Sequence, residues 1–369
     1  MPAEPSLCIQ MLAVRSFRNL SRVDIEPSAG FNVISGDNGQ GKTSLLEAVY
    51  VLATSKSFRT SRPLEIVQFG AVDATVRATV LEGGLPREQS VGLGKGMRAV
   101  RVDGKRPATL ASYATRTPAV VFHPGALTLS SGGGTDRRKL LDRVALYADA
   151  SPGAPAAYAQ AQRSRQRVLE TRGEKSPDLD GWEELMVQHG LALSSARDVA
   201  TGLIAPEAEA AFVRIGSPGG ALRVSYVRSA PVEPAAFRDE LARNRARDRA
   251  RRSPSVGPHR DDLLLELGGH GARISASQGQ HRAIVLALHL AEIEVVCRLR
   301  GSRPILLLDD VSSELDRQRT AALFAALRAQ QGQVLLTTTR PDLIEPGAFS
   351  ASAERRDYVV NGGQITLAS

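Results

Sequence analysis

Phe31-Asn32-Val33-Ile34-Ser35-Gly36-Asp37-Asn38-Gly39-Gln40-Gly41-Lys42-Thr43-Ser44 is the stretch that decides how this chain is read. Residues 36–44 fit G-x-x-x-x-G-K-[ST], an apolar run precedes them, and Leu45, Leu46, Val49 and Leu52 follow at helical spacing. Strand, glycine loop and helix together turn the pattern into a phosphate site rather than a glycine turn before an ordinary helix. Gly36, Gly39 and Gly41 let backbone N–H groups close around an anion, with Asp37, Asn38 and Gln40 completing the loop. The helix beginning near Lys42 directs its positive end at the same point. Lys42 has the reach for the β and γ oxygens, and the Thr43 hydroxyl, next to Ser44, suits Mg²⁺. The expected ligand is a nucleoside triphosphate with Mg²⁺.

Bulk properties narrow the class. A chain of 369 residues holds two to three domains, and 42% hydrophobic with 23% charged residues is a soluble globular composition. There is no apolar run of about 18 residues to span a membrane. Met1 to Pro5 lacks the basic and apolar segments of a secretory leader. Two cysteines, Cys8 and Cys297, each in apolar sequence, suit core thiols in a reducing cytoplasm. The net charge of +8 and pI near 9.8 favour a polyanionic partner such as nucleic acid, although an arginine-rich composition alone produces the same balance.

Working outward, residues 7–35 read as antiparallel strands, Leu7 to Val14, Leu20 to Glu26 and then Phe31 to Ser35. Arg18 and Arg59 lie in loops near the glycine loop, as nucleotide or DNA contacts or as solvated cations. Alternating sequence from 71 to 103 adds strands, and Ala119 to Phe122 reads as a buried one. Ser130 to Gly134 is expected to be a hinge. From there to about residue 252 the pattern is helical and strand signals nearly vanish. Phe237 to Arg252 carries seven arginines and three acids, which surround a helix rather than line one stripe. That pattern fits either a solvated helix or a phosphate-binding face without base stacking.

Pro304 to Asp310 is an apolar run ending in two carboxylates, the form of a buried parallel strand with acids at its ligand-binding end. In this Walker B arrangement Asp309 is placed to hold Mg²⁺ and Asp310 to orient or deprotonate the attacking water; the bland alternative is a helix-capping acid pair. Ser277-Gln278-Gly279-Gln280 opens a helix about 25 residues earlier. Alone it is a serine cap. Before a Walker B strand it resembles the signature motif of ABC-type ATPases, in which Ser277, Gly279 and Gln280 would meet the γ-phosphate held by a second subunit. Ser313-Glu314-Leu315-Asp316 resembles the D-loop of that superfamily.

Several stretches occur in the order seen in the bacterial RecF family. They are Phe17-Arg18-Asn19, the glycine loop, Leu46-Glu47-Ala48, Ser57-Phe58-Arg59-Thr60, Arg137-Arg138 before Leu141-Asp142, Gly257-Pro258-His259-Arg260-Asp261-Asp262, the signature motif, and Leu308 to Asp316. The resemblance runs through nearly the whole chain. It implies an α/β fold: an ABC-type P-loop ATPase head related to Rad50 and SMC proteins, with a mixed sheet, an antiparallel β subdomain and an inserted, mainly helical lobe. The expected boundaries are 1–134 with 253–369 for the head and 135–252 for the lobe. The implied function is ATP-dependent homodimerisation on DNA (single-stranded, gapped or double-stranded) with slow hydrolysis. The implied partners are RecO and RecR, aiding RecA loading at gaps and SOS induction, in the cytoplasm and on the nucleoid.

Departures and rivals sharpen the expectation. Asp310 stands where most ABC ATPases have glutamate, which suits a slow switch. Thr337-Thr338-Thr339-Arg340 replaces a histidine switch, and Phe122-His123-Pro124-Gly125 offers no glutamine loop. A transporter subunit does not fit the roughly 230 residues between Gly41 and Ser277. An SMC- or Rad50-like tether needs a long heptad arm, which the insertion lacks. A nucleotide-dependent DNA-binding module with incidental hydrolysis remains a second class of reading.

Overall fold

The computed structural model describes residues 7–216, 220–310, 332–341 and 355–368. The D-loop stretch Ser313 to Asp316 lies outside them. The chain divides into two compact units, Met1–Ala126 with Glu292–Ser369, and Leu127–Ala291.

The first unit begins with strands β1 (Cys8–Phe17), β2 (Leu20–Ile25) and β3 (Phe31–Ser35), then helix α1 (Lys42–Thr54). Strands β4 (Asp73–Glu82), β5 (Leu85–Gly94) and β6 (Met97–Val102), helix α2 (Leu110–Ala114) and strand β7 (Ala119–Phe122) follow. The second unit holds helices α3 (Thr128–Ser131), α4 (Gly134–Tyr147), α5 (Ala154–Arg172) and α6 (Asp178–Ile215), and strand β8 (Leu222–Val227). It continues with α7 (Pro234–Arg243), α8 (Arg245–Arg251), strands β9 (Asp262–Leu267) and β10 (His270–Gly271), and α9 (Ala272–Ser275). The division falls within α10 (Gln278–Arg300), after which β11 (Ile305–Asp309), β12 (Val334–Thr338), β13 (Arg355–Asn361) and β14 (Gln364–Leu367) return to the first unit.

Two sheets build the first unit. One is antiparallel, ordered β2-β1-β4-β5-β6, and its strands alternate buried and exposed because one face packs inward. The other is ordered β14-β13-β3-β12-β11-β7 and is parallel except for the β13–β14 hairpin. The expectation of three antiparallel strands over residues 7–35 therefore holds only for the first two. β3 crosses into the second sheet and runs parallel to both β12 and β13. Its central place explains why Phe31 to Ile34 are all buried. Gln333 ties the sheets: its amide donates to the carbonyls of Ile9 and Ser28 at 2.8 Å each and accepts from the Ile9 N–H at 2.8 Å. α1 packs on this framework through Leu45, Leu46, Val49 and Leu52, all fully buried.

The second unit is mainly helical but not free of strands. β8 pairs antiparallel with β9, and β9 with β10. The Leu222–Val227 strand lies within the stretch that the sequence reads as mainly helical; its alternating Leu222, Val224 and Tyr226 are the signal. In the stretch expected to be a hinge, Ser130 to Gly134, side chains and carbonyls make defined contacts. Ser130 is buried, and Arg137 donates to the carbonyls of Leu129 and Gly132 at 3.0 and 3.1 Å. A Cβ on Gly134 would come within 2.8 Å of the Asp262 carboxylate.

Arg165 is fully buried on α5 and bonds the equally buried Glu183 at 2.9 Å, Asp248 at 2.7 Å and the Leu241 carbonyl at 2.7 Å. Arg245 adds a second cation on Glu183 at 2.5 Å, with Asp180 at 2.6 Å. Much of the arginine-rich segment thus welds α5, α6, α7 and α8 together instead of forming one solvated helix. Arg165→Ala leaves buried carboxylates short of a partner and is expected to cost about 3–5 kcal/mol. Trp182, the one tryptophan of the chain, packs against this unit's core and reports its unfolding in urea. An unchanged midpoint would refute the estimate.

Candidate nucleotide site and family

The glycine loop sits between β3 and α1, and the positive φ angles of Gly36, Gly39 and Gly41 (148°, 81° and 123°) explain its composition. At Gly36 a second reason applies: a Cβ would lie 2.4 Å from the Val360 carbonyl oxygen of β13. Neighbouring segments clamp the loop. Asn19 donates from Nδ2 to the Gly39 carbonyl at 3.1 Å and accepts from the Ser44 hydroxyl at 2.8 Å. From the β13–β14 turn, Gly362 N–H donates to Gln40 Oε1 at 2.6 Å and Gly363 N–H to the Gln40 carbonyl at 3.0 Å. Sequence reading had Asn19 only as part of a resemblance and missed the hairpin.

Lys42 is buried and donates from Nζ to the carbonyls of Gly36 at 2.6 Å and Asp37 at 2.8 Å. Burial lowers its pKa below the usual lysine range, and Asp310, Asp309 and Asp37 partly offset that. Across the sheet, every residue of β11 is buried, and β11 runs parallel to β12 and β7. Asp309 at its end accepts from the Thr43 hydroxyl at 2.8 Å and the Thr337 hydroxyl at 2.9 Å. Burial pushes the Asp309 carboxyl up; the two hydroxyls pull it down. Thr43 and Asp309 are hard oxygen donors placed side by side, a donor set that fits Mg²⁺. Asp310 follows in the left-handed region at φ 48°, its N–H donating to Thr337 at 3.0 Å.

Arg18 and Arg59 are neither free cations nor isolated contacts. Both pair with Glu47, a fully buried carboxylate on α1, at 2.8 and 3.2 Å, and Ser57 donates to it at 2.5 Å. Phe58 packs against the ring of His123, centroids 5.0 Å apart, in the segment where a glutamine loop is lacking.

In the second unit, Ser277 and Gln280 cap α10 reciprocally. Gln280 N–H donates to Ser277 Oγ at 3.3 Å and Ser277 N–H to Gln280 Oε1 at 2.7 Å. This is a capping box, so the serine-cap reading and the signature reading describe the same exposed turn. His281 in that turn meets the Ser130 hydroxyl at 2.7 Å.

The Gly257-to-Asp262 motif is the hub of this unit. Asp261, fully buried, accepts from the hydroxyls of Ser194 (2.9 Å) and Tyr226 and from the Ser229 N–H (2.7 Å). Asp262 takes both arms of Arg137 at 2.7 and 2.8 Å; partial burial raises its pKa, but Arg137 holds it below the usual range. Arg197 spans Asp142 and the Pro258 carbonyl, and Tyr158 meets His259 at 2.8 Å. Cys8 is buried but Cys297 is half-exposed, so only one of the two is a core thiol.

The family model for the RecF/RecN/SMC N terminal domain matches residues 8–353. The DNA replication and repair protein RecF of Anaeromyxobacter sp. (strain Fw109-5) is 41% identical over 366 residues, covering 96% of this chain and 98% of its own. The chain belongs to the RecF family. RecF of Myxococcus xanthus (strain DK1622) is 39% identical over 369 residues, with 96% of both chains covered. A solved structure of the recombination mediator protein RecF-ATP in the RecFOR pathway superposes with a TM-score of 0.86 and 25% identity, over 100% of this chain and 99% of that one. The Smc head domain from Pyrococcus furiosus, 18% identical at a TM-score of 0.54 over 98% and 96% of the chains, shares the fold. The RecF-type α/β ATPase head with its mixed sheet is thus established. Among the described residues, no helix is long and apolar enough to cross a membrane.

Proposed function

We propose that this chain is an ATP-dependent DNA-binding protein of replication and repair, in which two copies close over two ATP molecules and reopen on slow hydrolysis. The observation that carries the reading is the 2.8 Å hydrogen bond from Thr43 to Asp309, which joins a glycine loop to a Walker B acid 266 residues later. Gly36 to Ser44 cradle the phosphates, Lys42 meets their charge, Thr43 and Asp309 hold Mg²⁺, and Asp310 orients the attacking water. Ser277, Gly279 and Gln280 of a second copy complete each site. The dimer and the bound nucleotide are therefore linked in one equilibrium. The relatives' roles in replication, repair and recombination mediation support RecO and RecR as partners and RecA loading at gaps as the outcome, in the cytoplasm.

For DNA, Arg247, Arg251 and Arg252 are exposed and make no side-chain hydrogen bond or ion pair among the described residues. The phosphate-binding role reduces to a few such cations, since Arg245 and Arg249 serve acids within the unit. Gapped, single-stranded and double-stranded DNA, each with and without ATP, test the proposal when the mass of the bound species is measured. ATP-dependent dimers on DNA support it; ATP-independent monomers on every substrate refute it.

Ser277→Arg separates the two halves of the site. It is expected to leave ATP binding to the monomer within about twofold of wild type while removing the ATP-dependent dimer in light scattering, because a bulky cation then fills the contact turn. Dimers of this variant in ATP would exclude the signature turn from the contact.

A further inference from the structure

Thr337 touches both acids of the Walker B strand and has no assigned role. It is fully buried on β12, directly opposite Asp309 in the parallel register with β11, and opposite Ile34 of β3 on its other side. It therefore stands between the strand that feeds the glycine loop and the strand that ends in the acids. A threonine hydroxyl has one proton to give and lone pairs to receive with. Here it donates to Asp309 Oδ1 at 2.9 Å and accepts the Asp310 N–H at 3.0 Å. A valine of the same shape could do neither.

We propose that Thr337 is the positioning residue of the acid pair, aiming the Asp309 carboxylate at the divalent cation and holding Asp310 in its left-handed turn. The inference rests on the nucleotide reading above. Asp309 Oδ1 accepts two hydroxyls in this structure, from Thr43 and Thr337. A hydroxyl that lends a lone pair to a cation keeps its proton, so both donors can persist; of the two, Thr337 is the one that is not itself a candidate cation ligand. Its hydrogen bond fixes the carboxylate's rotamer and would leave its other lone pairs available to a metal, the usual work of a partner behind a metal ligand. The second bond acts on the backbone. Asp310 has φ 48°, a conformation that non-glycine residues adopt where surrounding contacts enforce it. The Asp310 N–H to Thr337 bond is such a contact, and it decides where the carboxylate of Asp310 starts from. One hydroxyl thereby couples the cation position to the water position, in the stretch where transporter ATPases carry a histidine switch.

The test compares Thr337→Val and Thr337→Ser in the full chain. Mn²⁺ binding, read by electron paramagnetic resonance in the presence of a non-hydrolysable ATP analogue, should weaken about tenfold in Thr337→Val, the scale of one hydrogen bond to a charged group. Turnover at saturating metal should also fall, while metal-free nucleotide affinity stays at the wild-type value. Thr337→Ser keeps the hydroxyl and should restore both. Wild-type Mn²⁺ affinity and turnover in the valine variant would overturn the proposal. So would a folded serine variant whose Mn²⁺ affinity falls about tenfold below wild type, an outcome that remains decisive should the valine chain fail to fold. Failure of the wild-type chain to bind nucleotide at all would instead sink the functional reading beneath it.

Discussion

Lys42→Ala is expected to lower ATP affinity about 10²–10³-fold and with it to remove the proposed ATP-dependent dimer. The buried ammonium has already lost most of its water and is held by two loop carbonyls, those of Gly36 and Asp37. In the proposed site a triphosphate would supply its anion, and truncating one partner of such a desolvated charge pair costs about 3–4 kcal/mol, equivalent to about 10²–10³-fold. The fold should survive, because neither loop carbonyl depends on Lys42: the loop is clamped independently by Asn19 and the Gly362–Gly363 turn. Titration calorimetry supplies the affinity and mass photometry the dimer. Affinity within tenfold of wild type would reject the phosphate assignment.

Asp310→Asn is expected to slow hydrolysis about 10²-fold or more while ATP binding persists, so that closed dimers accumulate. Asparagine is the cleanest replacement available. It keeps the shape, tolerates the left-handed φ of 48°, and still offers its N–H to Thr337. Only the capacity to take a proton and the negative charge are lost. Single-turnover hydrolysis and dimer lifetime are the two measurements. Unchanged hydrolysis would remove Asp310 from the mechanism. The variant also separates two kinds of defect: Asp310→Asn should spare Mn²⁺ affinity, whereas Thr337→Val should not.

The parts legible in the sequence were those whose signal is local. A glycine loop between an apolar strand and an amphipathic helix occupies one window, as does the apolar run ending at Asp309 and Asp310. Periodicity reveals a strand but not its neighbours. Phe31 to Ser35 was therefore recognisable as a strand, while its places beside β12 and β13, about 300 residues away, were not. Arg18 and Arg59 looked like loop cations because Glu47, which joins them, sits inside a helical run that reads as core. Gly257 to Asp262 was conspicuous but mute. Its partners Arg137, Arg197, Ser194 and Tyr226 are scattered over about 90 residues, and no spacing rule connects them. The Leu222–Val227 strand was a different failure: six alternating residues in helical surroundings carried a readable pattern that the surrounding composition outweighed.

The central position of β3 has a consequence for synthesis. The strand that carries the glycine loop is made about 300 residues before either of its partners, which both lie beyond residue 330. The turn that braces Gln40 lies later still, at Gly362 and Gly363. A growing chain adds on the order of 10 residues per second, so the loop waits roughly half a minute without its sheet. The unit from Leu127 to Ala291 is continuous in sequence and can complete its own packing during that interval. The sheet around the glycine loop is therefore completed only after β12 and β13 have been made. A product truncated before β13 would carry every residue of the glycine loop and still lack the strand and turn that shape it.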